Sequence, residues 1–125
     1  MEIKIDTKEK FKVITPLTAI IDDKIANELK EQCINIFEKE KISIIVKFSL
    51  VNEITTMALE IIHEIHNIFS ENKLSFVVCE FNNEVLKQLK INDLIENFNY
   101  APTESEAWDI VQLEEIEREL FSDEE

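Results

Sequence analysis

Two short, almost uninterrupted apolar runs constrain the fold of this chain more than any other sequence feature. They cover residues 43–48 and 74–79, and each has the length of a β-strand. Strands that are apolar on both faces are typical of a sheet that is covered by helices on both sides. The segment between the runs carries apolar residues at helical spacing over residues 55–70. This order of strand, helix and strand predicts a right-handed crossover that joins two parallel strands.

The rest of the sequence repeats the alternation of strands and helices. Short apolar runs predict strands at residues 3–5, 11–14 and 98–100, and the first two can form a hairpin. The predicted helices begin at four N-cap candidates, which are Asp22 or Asp23, Thr55, Asn82, and Thr103 with Glu106 as its capping-box partner. The resulting order, β-β-α-β-α-β-α-β-α, predicts the α/β class. We expect a mixed, mostly parallel sheet of four to five strands with about four helices packed on it.

The C-terminal end of the chain is strongly acidic and is predicted to be a long helix. Residues 103–125 hold ten acidic residues and one arginine, and therefore −9 of the formal net charge of −14. Such a surface is either a solvated helix face or a docking surface for a basic partner. We predict one domain over residues 1–121, with its last helix over about 103–121, and a disordered tail at 122–125. Apolar residues on one side of this helix can contact a second copy or pack back on the sheet, namely Leu113, Ile116, Leu120 and Phe121.

Composition argues against several classes of protein. A net charge of −14 repels nucleic acid and anionic membranes. No apolar run approaches the roughly 18 to 20 residues of a membrane-spanning helix, and the N-terminus lacks the apolar stretch of a secretory signal. Cys33 and Cys79 lie in apolar patterns without CxxC spacing, which indicates buried thiols. These features predict a cytoplasmic protein.

Glycine is absent from the sequence. Phosphate-binding loops of the GxxxxGK or GxGxxG type need a backbone without Cβ atoms near the phosphate, so a self-contained nucleotide hydrolase is not expected. Turns that require a positive φ must use the next most tolerant residues, asparagine and aspartate. The predicted positions are Asn52, Asn72, Asn82, Asn83, Asn92 and Asp93.

The sequence contains no convincing catalytic or metal-binding constellation. His63 and His66 have the spacing of two ligands on one helix, but neither a third histidine nor a cysteine is close to them in the sequence. We therefore favour ordinary histidines of a helix surface. No serine lies in a nucleophile-elbow context, and neither cysteine has a neighbour that lowers its pKa. We predict no enzyme activity, no cofactor and no metal.

One position stands out at the start of the second long helix. Thr55 and Thr56 follow a buried strand, and a helix N-terminus offers free amide hydrogens that stabilise a phosphate. The alternative is plain N-capping by Thr55. The residues alone leave both interpretations open.

Taken together, residues 11–113 resemble the STAS domain, the fold of bacterial anti-sigma-factor antagonists. Four stretches carry the resemblance, and their order and spacing match the family. These are 18–22, similar to T-G-E-L-D; 44–51, similar to the central strand with its L-S-x-V ending; 74–85, similar to V-V-C-x-x-S-P-x-V; and 94–107, similar to the closing strand and the S-x-x-x-A helix start.

The resemblance implies a protein that binds an anti-sigma factor, which is also a serine/threonine kinase, and that is released when this kinase phosphorylates it. The family motif D-S-S-G-L-G corresponds here to residues 55–60, so Thr56 takes the phosphoacceptor position, with Thr55 as the second choice. Asp22, Thr55, Met57 and Glu60 are then the partner-binding residues. Both glycines are replaced, and we expect the Cβ atoms of Ala58 and Glu60 to crowd the surface that the kinase approaches. The alternative is a scaffold or adaptor that is never phosphorylated and acts through partner or homodimer contacts.

Overall fold

The computed structural model describes residues 2–122. Its strands, in chain order, are β1 (Ile3–Thr7), β2 (Phe11–Pro16), β3 (Ile20–Ile21), β4 (Ser43–Lys47), β5 (Glu53–Ile54), β6 (Phe76–Cys79) and β7 (Tyr100–Ala101). Its helices are α1 (Asp23–Glu40), α2 (Thr56–Glu71), α3 (Asn83–Ile91) and α4 (Glu104–Ser122), with a 3₁₀ turn at Ile95–Asn97. Five strands form a sheet in the order β1-β2-β4-β6-β7, and β3 and β5 form a separate pair.

The main sheet is mostly parallel. The neighbours β2–β4, β4–β6 and β6–β7 run parallel, and the N-terminal hairpin adds β1 antiparallel to β2. This arrangement confirms the predicted α/β class and the sheet of up to five strands with four helices. The pair β3–β5 was not predicted, because a strand of two residues has no periodicity that a sequence pattern can show.

Helices cover both faces of the sheet, as the two apolar runs require. In β4, Ile44 and Val46 belong to the larger core together with residues of α1 and α2. Ile45 points the other way and packs with Ala107 and Val111 of α4 in a smaller core. Because side chains alternate between the faces of a strand, one apolar run supplies both cores.

The helices begin where the cap residues predict. Three side-chain oxygens accept the backbone hydrogen bonds of the first turn, which satisfies amides that have no partner within the helix. The bonds are Ile25 N to Asp22 Oδ1 at 2.9 Å, Val85 N to Asn82 Oδ1 at 2.8 Å, and Glu106 N to Thr103 Oγ1 at 3.2 Å.

The longest helices are polar rather than membrane-spanning. α1 and α4 have 18 and 19 residues, but no helix within residues 2–122 is apolar enough over sufficient length to cross a membrane. α4 ends at Ser122, and residues 123–125 of the predicted disordered tail lie outside the described residues.

Most of the predicted positive-φ positions are wrong. Only Asp93 has φ in the left-handed region, and the other such residues are Lys41, Lys73 and Glu80. Two of the wrong positions are the C-caps of helices. Asn72 ends α2 and Asn92 ends α3, and both have negative φ values. Their side-chain amides instead donate to the carbonyl oxygens of the preceding turn, at Ile68 O (2.7 Å) and Gln88 O (2.8 Å). The residue after each asparagine then takes the left-handed conformation.

Replacing Lys73 by glycine is expected to raise the free energy of unfolding by about 1 kcal/mol. Lys73 is exposed and has φ 60°, a conformation that costs an L-residue roughly 1–2 kcal/mol and glycine much less. Urea denaturation measures the change. The matched control is Lys87→Gly in the interior of α3, which should lower the stability by about 1 kcal/mol. A loss of stability at position 73 as large as that at position 87 would contradict the prediction.

Candidate docking site

The parallel strands end at one edge of the sheet, and the candidate residues lie just beyond it. β3 follows β2, and β5 follows β4, so this second pair of strands continues past the edge before α1 and α2 begin. β3 and β5 are parallel, with Ile21 opposite Ile54. The amide of Thr55 donates to the carbonyl oxygen of Ile21 at 3.0 Å. Asp22 and Thr55, the next residues along the two strands, are therefore side by side.

The side-chain oxygens of Asp22 and Thr55 accept hydrogen bonds that cap helices. Asp22 Oδ1 caps α1, and Thr55 Oγ1 accepts from Ala58 N at 3.2 Å to cap α2. Both side chains are half-buried. The N-capping interpretation of Thr55 is thus confirmed, and its hydroxyl is already engaged. Thr56, in contrast, is the first residue of α2 and is exposed.

The exposed side of the first turns of α2 carries Thr56, Met57 and Glu60. Ala58 and Leu59 point inward and are buried. The expectation that the Cβ of Ala58 crowds a partner at the surface is wrong for this reason. Of the two positions where the family motif has glycine, only Glu60 is at the surface.

Four exposed apolar side chains, which we call the apolar patch, lie in the segments that follow the parallel strands at this edge. Leu17 and Ile20 come from the segment between β2 and α1, Leu50 comes from the loop between β4 and β5, and Met57 comes from α2. Their side chains are 44–59% exposed. Ile20 is held opposite Glu53 by the β3–β5 pairing, which places Ile20 at the same edge. The sequence does contain a signal for these residues: large apolar side chains occur in the connecting segments that directly follow the parallel strands.

The third helix is tied to the same edge. Asn82 caps α3 through Oδ1, and its side-chain amide donates to the carbonyl oxygen of Asn52 at 3.1 Å. This bond links the start of α3 to the segment that leads into β5. The loop carrying Leu50 is further shaped by a turn in which Val51 N donates to Phe48 O at 3.0 Å. Several backbone and side-chain hydrogen bonds thus hold the segments at this edge in place.

A second polar cluster lies at the ends of β4, β6 and β7. Lys47 Nζ is 3.4 Å from Glu104 Oε1, and the amide of Glu104 donates to Glu80 Oε2 at 3.0 Å. Trp108 Nε1 donates to the other oxygen of Glu104 at 3.1 Å. Burial lowers the pKa of Lys47, but the carboxylates of Glu80 and Glu104 outweigh burial and raise it above its usual value. A permanently charged lysine that is paired in this way is suited to fixing the start of α4, not to accepting a proton.

The two cysteines are free and buried, as predicted. Burial, together with the carboxylates of Glu80 and Glu104, raises the pKa of Cys79 to about 12. Burial alone raises the pKa of Cys33 even further. Since the thiolate is the reactive form, neither side chain is placed to act as a nucleophile.

The histidines of α2 are half-buried and stacked. The ring centroids of His63 and His66 are 6.1 Å apart, and His66 Nδ1 lies 3.4 Å from the carbonyl oxygen of Phe76. Within the described part of the chain, no group of three or more histidine, cysteine or acidic side chains is arranged to hold a metal ion.

Comparison with known proteins decides the family. The model of the family described as "STAS domain" matches residues 2–107, most of the chain. The chain belongs to the STAS domain family. The resemblance seen in residues 11–113 is thereby confirmed, and most of α4 lies beyond the matched region. Comparison with curated proteins gave no significant match.

Three solved structures share the fold of this STAS domain. A candidate anti-sigma factor antagonist from Thermotoga maritima has a TM-score of 0.75 at 20% identity, covering 88% of this chain and 94% of the other. An anti-sigma factor antagonist from Mycobacterium paratuberculosis has a TM-score of 0.75 at 15% identity, with coverages of 89% and 93%. The Bacillus cell fate determinant SpoIIAA in its phosphorylated form has a TM-score of 0.63 at 14% identity, with coverages of 88% and 99%.

Proposed function

We propose that this STAS domain is an anti-sigma-factor antagonist that regulates transcription by binding a partner, and that it has no catalytic activity of its own. The partner is an anti-sigma factor of the serine/threonine kinase type. The observation that carries the proposal is that Thr56 is exposed at the same edge of the sheet as the exposed apolar side chains of the patch. Antagonists from two bacteria share the fold, which supports the same kind of activity here.

The docking surface comprises Asp22, Thr55, Met57 and Glu60. Met57 supplies the largest exposed apolar surface among them, and the neighbouring apolar patch extends it. Burial of such side chains at the centre of an interface is the main source of binding free energy. Asp22 and Thr55 contribute by fixing the two helix starts, so the surface loses little conformational entropy on binding.

Phosphorylation of Thr56 is the proposed switch. A phosphate adds about −1.5 to −2 charges, and it would stand beside Asp22, Glu53 and Glu60 on a protein of net charge −14. The amides at the start of α2 stabilise the phosphate in the free protein, whereas burial in an apolar interface removes its solvation. The phosphorylated form of SpoIIAA has the same fold, which supports a switch that acts locally.

We expect the partner kinase and ATP to add one phosphate to the wild-type chain and none to Thr56→Ala. Thr103→Ala is the matched control: it removes the threonine cap of α4, outside the docking surface, costs about 1 kcal/mol of stability, and should leave phosphorylation intact. Intact-mass spectrometry measures the phosphate, and Thr56→Glu should weaken partner binding about 30- to 150-fold, which corresponds to about 2 to 3 kcal/mol. Absence of phosphate with a kinase that modifies another antagonist would contradict the switch.

The second candidate function is a scaffold or adaptor that binds its partner without phosphorylation. The observation that favours it is the motif at residues 55–60, where threonine replaces aspartate and both glycines are missing. The same experiment separates the two functions. Partner binding that Met57→Ala weakens, but that ATP and Thr56→Glu leave unchanged, identifies the scaffold.

A further inference from the structure

α4 uses one side to pack on the sheet. Ala107 and Val111 are buried in the smaller core. One turn and two turns further on, Glu114 Oε2 accepts from Asn99 Nδ2 at 3.0 Å, and Arg118 Nη1 donates to Ser75 Oγ at 3.2 Å. These contacts define the inner side of the helix along almost its whole length.

The opposite side of α4 carries an apolar stripe. Leu113, Ile116 and Leu120 are spaced by three and four residues, and their side chains are 53–62% exposed. At about 100° per residue they fall within an arc of roughly 60°, diametrically opposite the inner side of the helix. Phe121 is also exposed, but at about 100° per residue it lies roughly a quarter turn or more away from the stripe, on the side next to Arg118. Packing back on the sheet, the alternative expected for these residues, is therefore wrong.

The stripe lies beyond the part of the chain that the family model matches. The family model ends at residue 107, and the stripe begins at residue 113. It also contributes nothing to either core. An exposed seam with the spacing of a and d positions in a helical pair has the form of a surface for another helix.

Acidic residues border the stripe. Glu106, Asp109 and Glu117 lie on the same outer side of the helix and are exposed. α4 contains seven acidic residues and one basic residue, and that base, Arg118, faces inward towards Ser75.

Two lysines of the β1–β2 turn also approach α4, but both have contacts there. Lys10 Nζ is 3.7 Å from Glu115 Oε1, and Lys8 Nζ lies 5.1 Å from the centroid of the Trp108 ring. Neither contact changes the acidic character of the outer side.

The negative charge of α4 indicates which kind of helix can pack against the stripe. A second copy would bring two helices of net charge −6 against each other, and like charges beside a helical seam oppose pairing. A helix with an apolar stripe flanked by lysine or arginine matches both the seam and its borders. The homodimer proposed from Leu113, Ile116 and Leu120 is thus the less favourable arrangement.

We propose that the outer face of α4 docks a basic amphipathic helix of a partner protein. The surface is distinct from the edge at Thr56, so this STAS domain can hold one partner there and a second on α4. Residues 113–120 extend over about 10 Å, or two helical turns, which a partner helix of about three turns covers.

A synthetic helix tests the proposal. The probe is a peptide of about 21 residues with leucine at a and d positions and lysine at e and g positions. We expect isothermal titration calorimetry to detect binding to the full chain. Replacing Leu113, Ile116 and Leu120 together by glutamine should weaken binding at least about tenfold. Raising the salt from about 0.1 M to about 1 M should also weaken it, because the Debye length falls from about 10 Å to about 3 Å.

Matched controls make the result specific. Ile91→Gln removes an exposed apolar side chain from α3 and should leave binding unchanged. A peptide of the same composition in scrambled order should not bind. The double variant Asp109→Lys with Glu117→Lys should weaken binding of the lysine probe and create binding of a probe with glutamate in place of lysine. This charge reversal tests the proposal even if the triple variant does not fold. Thr56→Ala should have no effect on any of these measurements.

Three outcomes overturn the proposal. The first is no binding of the lysine probe, and the second is equal binding of the scrambled peptide or undiminished binding to the triple variant. The third is a doubled mass in sedimentation equilibrium that the triple variant restores to the monomer mass, which shows that a second copy covers α4.

Discussion

Replacing Phe48 by alanine is expected to lower the free energy of unfolding by about 3–5 kcal/mol. Phe48 is completely buried and packs against Phe81, with ring centroids 5.0 Å apart. The change removes apolar contacts and leaves a cavity that a tightly packed core cannot fill. A loss of this size is a large part of the roughly 5–15 kcal/mol that stabilises a domain.

The position of Phe48 connects this loss to the candidate site. Its amide donates to the carbonyl oxygen of Cys79 at 2.9 Å, and its carbonyl oxygen accepts from Val51 N. Phe48 thus anchors the segment that presents Leu50 and leads into β5. We expect the variant, where it remains folded, to bind the partner more weakly as well.

Urea denaturation of three variants measures the effect. Phe48→Leu keeps most of the volume and should cost less than about 1.5 kcal/mol. Phe121→Ala changes an exposed phenylalanine at the end of α4 and should stay within about 0.5 kcal/mol of the wild type. Equal effects of Phe48→Ala and Phe121→Ala would show that the core is not organised around Phe48.

Stability is expected to fall by about 3 kcal/mol between pH 8 and pH 10, and the two cysteines are the cause. In the unfolded chain each thiol loses its proton near the ordinary value of 9.0. In the folded protein burial raises the pKa of Cys79 to about 12 and that of Cys33 further still. The folded state then holds more protons than the unfolded state, so a rising pH favours unfolding.

The sign and size follow from the number of bound protons. The stabilisation is complete below pH 9 and is lost as the pH rises towards the folded-state values, at about 1.4 kcal/mol per pH unit for each thiol. The pKa of Tyr100 is also raised, and burial is the largest cause. Its ionisation in the unfolded chain therefore lowers the stability further above pH 10.0, the usual pKa of tyrosine. Measurements that stop near pH 10 therefore report mainly on the cysteines.

Single cysteine variants provide the control. Cys33→Ala and Cys79→Ala each lower the stability at neutral pH, because each leaves a small cavity. The informative quantity is the slope between pH 9 and pH 10, which should fall by about half in each single variant and nearly vanish in the double variant. A double variant that keeps the slope of the wild type would assign the alkaline loss to other groups.

Much of the fold follows from the sequence alone. The apolar runs at residues 43–48 and 74–79 specify buried strands, because a strand covered on both faces must be apolar on both. Asp22, Thr55, Asn82 and Thr103 mark the helix starts, because a side-chain oxygen satisfies a free amide within its own turn. Both relations are local, and they were confirmed.

Other features depended on contacts between distant segments. The pairing of Ile21 with Ile54 brings Asp22 beside Thr55, although 33 positions separate them in the sequence. Left-handed conformations fell on Lys41 and Lys73 because the geometry of the helix ends outweighed residue preference.

Tertiary packing also determines which side chains remain at the surface. Periodicity identifies Leu113, Ile116 and Leu120 as one side of a helix, but it does not say which side meets the sheet. α4 carries two sets of apolar residues, and the set that contains Ala107 and Val111 packs on the sheet in the smaller core. The acidic outer stripe was therefore left exposed by tertiary packing, and so were Thr56 and Met57 at the start of α2. The sequence determined which segments are buried; only the packing of helices on the sheet determined which faces remain for partners.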